Sequence, residues 1–160
     1  MRTRLSFLGL MLGAAALGAA SDRAPSGEFV RLRPDQIRWQ EVPGGLGAQM
    51  ATLAGDPSGP GLYVQRVRFP PHVMDRPHWH PNDRYVTVLK GTWYTGTGAT
   101  FDPAQAVPLP AGSYMLHPGR AVHWDGSNSD EEVIVQITGL GPAQTTQADP
   151  QQPFFVRLPR

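Results

Sequence analysis

The chain has 160 residues, and its 14 basic side chains nearly balance its 13 acidic ones. That length fits one domain with one core, and the near-neutral charge gives no electrostatic case for binding nucleic acid. The sequence contains no cysteine, which excludes disulfides, thiolate zinc sites, thiol nucleophiles and a lipoprotein anchor. The 18 glycines and 17 prolines are spread along the chain, which favours short strands and many turns over helices.

Residues 1–20 have the composition of a secretory signal peptide. Two arginines precede an apolar run over 5–17, and Gly18 and Ala20 place small residues at −3 and −1 before Ser21. The run is short and rich in Gly and Ala, which favours a cleaved signal over the alternative of an uncleaved membrane anchor. We therefore expect a periplasmic or secreted protein that has no membrane attachment after cleavage.

Residues 21–45 predict an N-terminal arm with one helical turn at 34–37, and residues 46–140 predict the barrel. Within the barrel, β-branched and aromatic runs bounded by Gly and Pro predict short strands. These strands are 49–53, 62–69, 85–89, 92–95, 113–116 and 132–138. In the second of them, alternation places Tyr63, Gln65, Val67 and Phe69 on one side, as in a half-buried strand.

Two further segments complete the pattern. The Pro- and Gly-rich stretch 108–112 predicts a turn, and residues 141–160 predict a tail with one edge strand at 154–156. No stretch beyond the signal sustains a helical period. Short strands separated by turns predict an all-β protein, either a barrel or a double-sheet jelly roll.

All five histidines lie between residues 72 and 123. His78 and His80 are one residue apart, so on a strand both would point to the same face. His123, from a distant strand, would supply a third imidazole. Three imidazoles with open positions left over are what a catalytic divalent metal needs. The alternative interpretation is that these are scattered barrel or surface histidines.

The order of these residues resembles the two motifs of the cupin superfamily, in its small, single-domain, type-2-like form. The first motif places a Gly, a His-x-His pair, a Glu and a second Gly in order, and the second places Gly, Pro-x-Gly, His and Asn. The matching residues are His78, His80, Gly91, Gly112, Pro118 and His123. The departures are His72 and Arg120 at glycine positions, Arg84 at the Glu position and Ser127 at the Asn position.

The resemblance implies a cupin β-barrel, also called a double-stranded β-helix, with a metal held inside by His78, His80 and His123. The segment 122–126 is similar to an exported bacterial cupin group to which no reaction is assigned. Cupins often dimerise through added edge strands, which implies a homodimer with 31–39 and 154–156 as candidate segments.

Arg84 is the departure that bears most on function, because it puts a permanent cation where a carboxylate ligand is usual. If the strand continues from His80 without a break, Arg84 points into the barrel together with Asn82 and Val86. A bulge at Pro81 would instead turn Arg84 out to solvent. An inward Arg84 either holds a substrate carboxylate beside a three-histidine metal, or repels the metal and leaves a pocket for an organic ligand. In either case its charge must be paired, by substrate or by an acidic side chain of another strand.

Other candidates have weaker support. His117 is a fourth ligand, a proton shuttle or a surface residue, and His72 belongs to a loop. Trp79 and Trp124 are predicted to pack rather than to stack on a substrate. Four more residues are considered for the surroundings of the site, as acceptors that fix a histidine tautomer or as pocket residues: Asp83, Asp125, Tyr94 and Gln136.

Three hypotheses for function follow. The first is an exported metal-dependent enzyme, dioxygenase-like or of another type, that acts on a small organic acid or phenol-like molecule. Its cofactor would be one divalent transition metal ion, Fe, Mn, Ni or Zn, all of which accept imidazole ligands. Iron or manganese would suit dioxygen chemistry, and zinc would suit Lewis-acid chemistry. The second hypothesis is a non-catalytic module that binds a small ligand or a metal ion, and the third is a purely structural β protein.

Overall fold

The computed structural model describes residues 27–159, and the predicted signal peptide lies outside them. The described chain is almost entirely strands, with two short 3-10 helices, η1 (Pro34–Gln36) and η2 (Pro103–Gln105). The strands are β1 (Gln40–Glu41), β2 (Gln49–Ala54), β3 (Gly61–Phe69), β4 (Val73–Asp75), β5 (His78–Trp79), β6 (Arg84–Lys90), β7 (Thr92–Thr97), β8 (Val107–Pro110), β9 (Tyr114–His117), β10 (His123–Gly126), β11 (Val133–Gly141), β12 (Thr146–Gln147) and β13 (Phe155–Arg157). Between residues 27 and 159, no helix is long and apolar enough to cross a membrane.

The strands form two antiparallel sheets that enclose one core. The first sheet has the order β1-β2-β3-β11-β6-β9. In the second, β10 lies between β7 on one side and the consecutive strands β4 and β5 on the other, with β8 beyond β7 and with β12 and β13 at the far edge. Two facing sheets of this kind make a double-stranded β-helix, which confirms the predicted all-β jelly roll.

The core forms from the inward faces of β3, β11 and β6. Tyr63, Gln65, Val67 and Phe69 of β3 are buried while their neighbours are partly exposed, as the alternation predicts. Buried valines and an isoleucine of β11 and buried valines of β6 lie beside them in the same sheet. Each such side chain contributes about 1.5–3 kcal/mol when it is fully buried. Several of these core residues also line the cavity that contains the polar site described below.

Two segments of the chain differ from the sequence prediction. Residues 107–110 form β8 rather than part of a turn, and among residues 27–159 this strand pairs with β7 alone. The prolines of β8 are tolerated because an edge strand leaves one side free of ladder hydrogen bonds. The predicted tail is also more ordered than expected, since β12 pairs with β5 and β13 lies at the edge beside β4. The predicted edge strand near the C-terminus is therefore observed as β13.

The strand that carries the histidine pair does not continue to Arg84. It ends at Trp79, the chain bends at Pro81 and Asn82, and β6 begins at Arg84. The condition under which Asn82 would point inward, an unbroken strand, is therefore not met. Asn82 does not line the cavity of the barrel, and its side-chain amide donates to the Leu140 carbonyl at 3.0 Å. The break nevertheless leaves Arg84 facing the barrel interior, since Val86, two residues further along β6, is fully buried.

Candidate metal centre

His78, His80 and His123 converge inside the barrel. His78 lies directly opposite His123 in the pairing of β5 with β10, and His80 follows the end of β5. The ring centroids are 4.4 Å apart for His78 and His123, 4.9 Å for His78 and His80, and 5.3 Å for His80 and His123. One nitrogen from each ring lies within 4.8 Å of the other two. All three side chains are buried. The three histidines that the sequence singled out therefore come together in the fold.

Each of the three rings is held in the same way. In all of them Nδ1 donates a hydrogen bond to a backbone carbonyl, because a carbonyl oxygen can only accept. The acceptors of His78, His80 and His123 are the carbonyls of Arg76, Gln144 and Ala121, at 2.8, 2.9 and 3.0 Å. With the proton on Nδ1, the lone pair lies on Nε2. Nε2 of His123 is buried and has no hydrogen-bond partner among residues 27–159.

The acceptors are not the carboxylates that the sequence suggested. Asp83 accepts a hydrogen bond from the backbone N–H of Gly119 at 2.7 Å. Asp125 accepts one from the indole N–H of Trp93 at 2.9 Å. Neither carboxylate holds a ring of the cluster, and backbone carbonyls take that role instead. Carbonyl acceptors leave no sequence signal, since every residue carries one.

The cluster is neutral near physiological pH. Burial lowers the pKa of His78 to about 3, and repulsion by His123 adds to it. Burial also lowers the pKa of His80 to about 2 and that of His123 to about 4, with the Arg84 charge acting in the same direction. Neutral imidazoles, with the lone pair on Nε2, are the form that binds a divalent transition metal. The three histidines therefore fit such an ion.

Arg84 lies against this cluster. Its Nη1 contacts Nε2 of His80, and its Nε is buried and has no hydrogen-bond partner among residues 27–159. Tyr63 and the charges of Asp125 and Asp75 favour the charged form of the guanidinium. Burial lowers the pKa of Arg84, but an arginine stays charged in proteins. The guanidinium thus occupies one of the three lone pairs that a metal would use.

Asp75 and Asp125 form a buried acidic pair beside the cluster. Oδ1 of Asp75 accepts the backbone N–H of Asp125 at 2.7 Å, and it lies 3.7 Å from Nδ1 of His78. Burial, together with the charge of Asp125, raises the pKa of Asp75, and burial raises that of Asp125 to about 6. These are the acidic side chains from other strands that an inward Arg84 was expected to attract. Asp75 was missed because nothing in the sequence marked the short β4 as a strand.

A cavity of about 220 Å³ lies between the sheets, and the polar residues that line it include Asp75, His78, His80, Arg84, His117 and Asp125. The rest of its wall is mostly apolar, with Val67, Val135 and Phe154 among the lining residues. Pockets for drug-sized ligands measure about 300–1,000 Å³, so this cavity suits a smaller molecule. Tyr94 and Gln136 do not line it, and Gln136 instead accepts a hydrogen bond from Arg66 at 3.1 Å.

Three sequence candidates remain to be placed: His117, Trp124 and His72. His117 is buried in the same cavity, 3.7 Å from the ring of His123 between centroids. Trp124 packs edge-on against Phe101, as predicted for a residue off the ligand face. His72 lies in a turn, where its Nε2 contacts Asp130 at 2.8 Å. Only His117 of the remaining histidines therefore adds to the cluster.

Three solved structures with the same fold illustrate what this chain resembles. A polyketide cyclase, RemF, from Streptomyces resistomycificus is 14% identical, with a TM-score of 0.65, and the match covers 79% of this chain and 89% of that one. An RmlC-like cupin from Shewanella frigidimarina is 17% identical, with a TM-score of 0.54 and coverage of 71% and 90%. The DMSP lyase DddQ from Ruegeria pomeroyi is 17% identical, with a TM-score of 0.59 and coverage of 72% and 63%. At these identities the likeness shows the fold alone.

A search of curated protein sequences finds no significant match to this chain. A family model does match, over residues 27–144, and its description is the ChrR cupin-like domain. The matched region spans most of the chain and contains every residue of the histidine cluster. The protein is therefore a member of the ChrR cupin-like family, within the cupin superfamily.

Proposed function

We propose that this protein is an exported cupin enzyme that binds one divalent transition metal ion through His78, His80 and His123. Its substrate would be a small organic molecule that carries a carboxylate. The observation that carries the proposal is that three buried imidazoles are each anchored through Nδ1, which puts the lone pair of each ring on Nε2. Such anchoring fixes the tautomer of metal-binding histidines and raises their basicity as ligands.

The metal would be Fe, Mn, Ni or Zn, since neutral imidazoles suit each of them. When bound, it would polarise a substrate oxygen or, as iron or manganese, support dioxygen chemistry. The chain's own residues would hold the substrate and exclude water. The apolar wall of the small cavity provides the exclusion, and it limits the substrate to a molecule below drug size.

Arg84 supports an anionic substrate. Its guanidinium is enclosed in the cavity, and its buried Nε has no hydrogen-bond partner among residues 27–159. A guanidinium presents a fork of donors that matches a carboxylate bidentately. A substrate carboxylate that takes this fork would draw Arg84 away from His80 and leave Nε2 of His80 for the metal.

Export rests on residues 1–20, whose basic start, apolar run and small residues fit a cleaved signal. On this proposal the mature protein works in the periplasm or outside the cell. Its substrate would then be a molecule available in that compartment.

A second candidate function is a non-catalytic module that binds an organic anion without metal. The contact between Nη1 of Arg84 and Nε2 of His80 favours it, because that contact satisfies both groups without any ion. In this case the histidines would be structural partners of the arginine, and the protein would act by capturing a ligand.

Metal analysis separates the two candidates. Protein purified from the periplasm of its own host, analysed for bound elements, should carry about one transition metal ion per chain. His78→Ala, His80→Ala and His123→Ala should each lower metal affinity by at least the ~10–100-fold that loss of an outer hydrogen-bond partner causes. His72→Asn is the matched control, since Asn tolerates the left-handed backbone at that turn. Unchanged metal content in all three alanine variants would exclude the metal site.

A further inference from the structure

The remaining buried histidine, His117, faces the same cavity from a different strand. It ends β9, directly opposite Arg84 in the pairing of β9 with β6. Its ring centroid lies 3.7 Å from that of His123 and 5.5 Å from that of Trp93. His117 is therefore within reach of the three-histidine cluster rather than part of a separate site.

His117 has no hydrogen-bond partner at either ring nitrogen among residues 27–159, although both nitrogens are buried. A neutral imidazole has one donor and one acceptor, and both normally find partners inside a protein. Leaving each unpaired costs about 1–3 kcal/mol. The other three rings of the cavity avoid this cost at Nδ1 through backbone carbonyls. The orphaned ring of His117 therefore indicates a partner that is not a protein atom.

We propose that His117 is a fourth imidazole ligand of the metal bound by His78, His80 and His123. This inference rests on the proposed metal site and specifies its donor set. No hydrogen bond holds the His117 ring, so it can turn about χ2, a torsion with a broad preference, without losing a hydrogen bond. One nitrogen of His117 already lies within 4.8 Å of a nitrogen of His123, and Nε2 of His123 is itself buried and unpartnered among residues 27–159.

Asp125 would receive the other nitrogen of the ring. His117, His123 and Asp125 each have a ligand atom within 4.8 Å of those of the other two. The Asp125 carboxylate is fixed by the indole N–H of Trp93, and it keeps further lone pairs for a second donor. A carboxylate that accepts the outer N–H of a metal-bound histidine is a common support for such ligands. The four imidazoles would make a donor set with no carboxylate bound to the metal.

The test counts imidazoles on Cu(II), used as a probe ion, by pulsed electron paramagnetic resonance. Wild-type protein should show four coupled imidazoles, and His117→Ala should show three, with Cu(II) affinity lower by about 10–100-fold. His72→Asn, outside the cavity, should keep four. Far-ultraviolet circular dichroism of each variant checks folding. His117→Leu, which fills the space with an apolar side chain, provides a second variant if the alanine protein does not fold.

The wild-type count is decisive by itself. Three imidazoles in the wild type, or four in a folded His117 variant, would overturn the role of His117 while leaving the three-histidine site in place. A wild-type protein that takes up no Cu(II), Zn(II), Mn(II) or Fe(II) would overturn the proposed metal site and this inference together. Four in the wild type and three in the variant would establish the fourth ligand.

Discussion

Arg84→Met tests whether the guanidinium competes with the metal. Arg84 is a fixed positive charge in contact with Nε2 of His80, the atom that a metal would use. Two unit charges 4 Å apart interact by about 4 kcal/mol at an effective dielectric constant of 20, and Asp75 and Asp125 offset part of this repulsion. We expect the methionine variant to bind metal at least about tenfold more tightly, which corresponds to about 1.4 kcal/mol.

The same variant should lose affinity for small carboxylates. A hydrogen bond to a charged group contributes about 1.5–3 kcal/mol, so carboxylate binding should weaken by about 10–150-fold. The free energy of unfolding should fall in this variant, since Asp75 and Asp125 lose a buried counter-charge when only the arginine is removed. Arg84→Glu should tighten metal binding further, because it supplies a carboxylate ligand, and it should abolish carboxylate binding.

Two titrations measure these effects: competition for metal against a chromophoric chelator, and calorimetry with a panel of small carboxylates. Arg66→Met is the matched control, because Arg66 lies on the outer face of β3, where it donates to Gln136. Metal affinity that is the same in Arg84→Met and wild type would refute the competition. Carboxylate affinity that is the same in both would end the anion-site hypothesis.

Three further predictions follow from single features of the chain. The intact mass of protein from the periplasm should place the mature N-terminus at Ser21. A mass that retains residues 1–20 would indicate an uncleaved membrane anchor or a cytoplasmic protein. Arg120→Gly should raise the free energy of unfolding by about 1 kcal/mol in urea melts, because Arg120 is exposed and has a φ of 65°; a loss of stability would contradict this. In the metal-free protein, the buried histidines have pKa values below the ordinary 6.5, so the unfolded chain binds more protons and stability should fall as pH drops below about 6.5. Both buried carboxylates have raised pKa values, that of Asp125 to about 6, and their protonation opposes this loss. Four histidines outnumber them, and stability that stays level from about pH 8 to about pH 5 would refute the reasoning.

The sequence predicted best where a side-chain pattern follows directly from backbone geometry. Alternation in β3 identified the buried face, since successive side chains on a strand point to opposite sides. The one-residue spacing of His78 and His80 placed both inside the barrel, although His80 lies just beyond the end of β5. His123 was located by its place in a motif, and it lies directly opposite His78.

The glycine positions of the two motifs show why a departure in sequence need not change the fold. His72 and Arg120 stand where the motifs have glycine, and their φ angles are 58° and 65°. These are left-handed conformations that glycine adopts freely and other residues adopt at a cost of about 1–2 kcal/mol. The chain keeps the turn in both places and bears the strain, so the motif register set by His78 and His123 is retained.

The parts that the sequence did not predict depend on the meeting of distant segments. The Gln144 carbonyl that anchors His80 lies in a stretch predicted as tail. Asp75 and Asp125 meet because β4 pairs with β10, and the register of these short strands is not visible in a single sequence. Arg84 faces inward despite the bend at Pro81, which breaks the alternation on which the prediction relied.

The charges enclosed with the cluster bear on which ligand the proposed site would take. The imidazoles are neutral, Arg84 carries one positive charge, and Asp75 and Asp125 carry at most two negative ones, with pKa values raised by burial. A divalent ion bound among the histidines would therefore leave the cavity with an excess of positive charge even if both carboxylates were ionised. An uncompensated buried charge is costly, and a small monoanion would balance it. On this argument metal and anion would each favour binding of the other, and by linkage the gain in affinity would be equal in both directions.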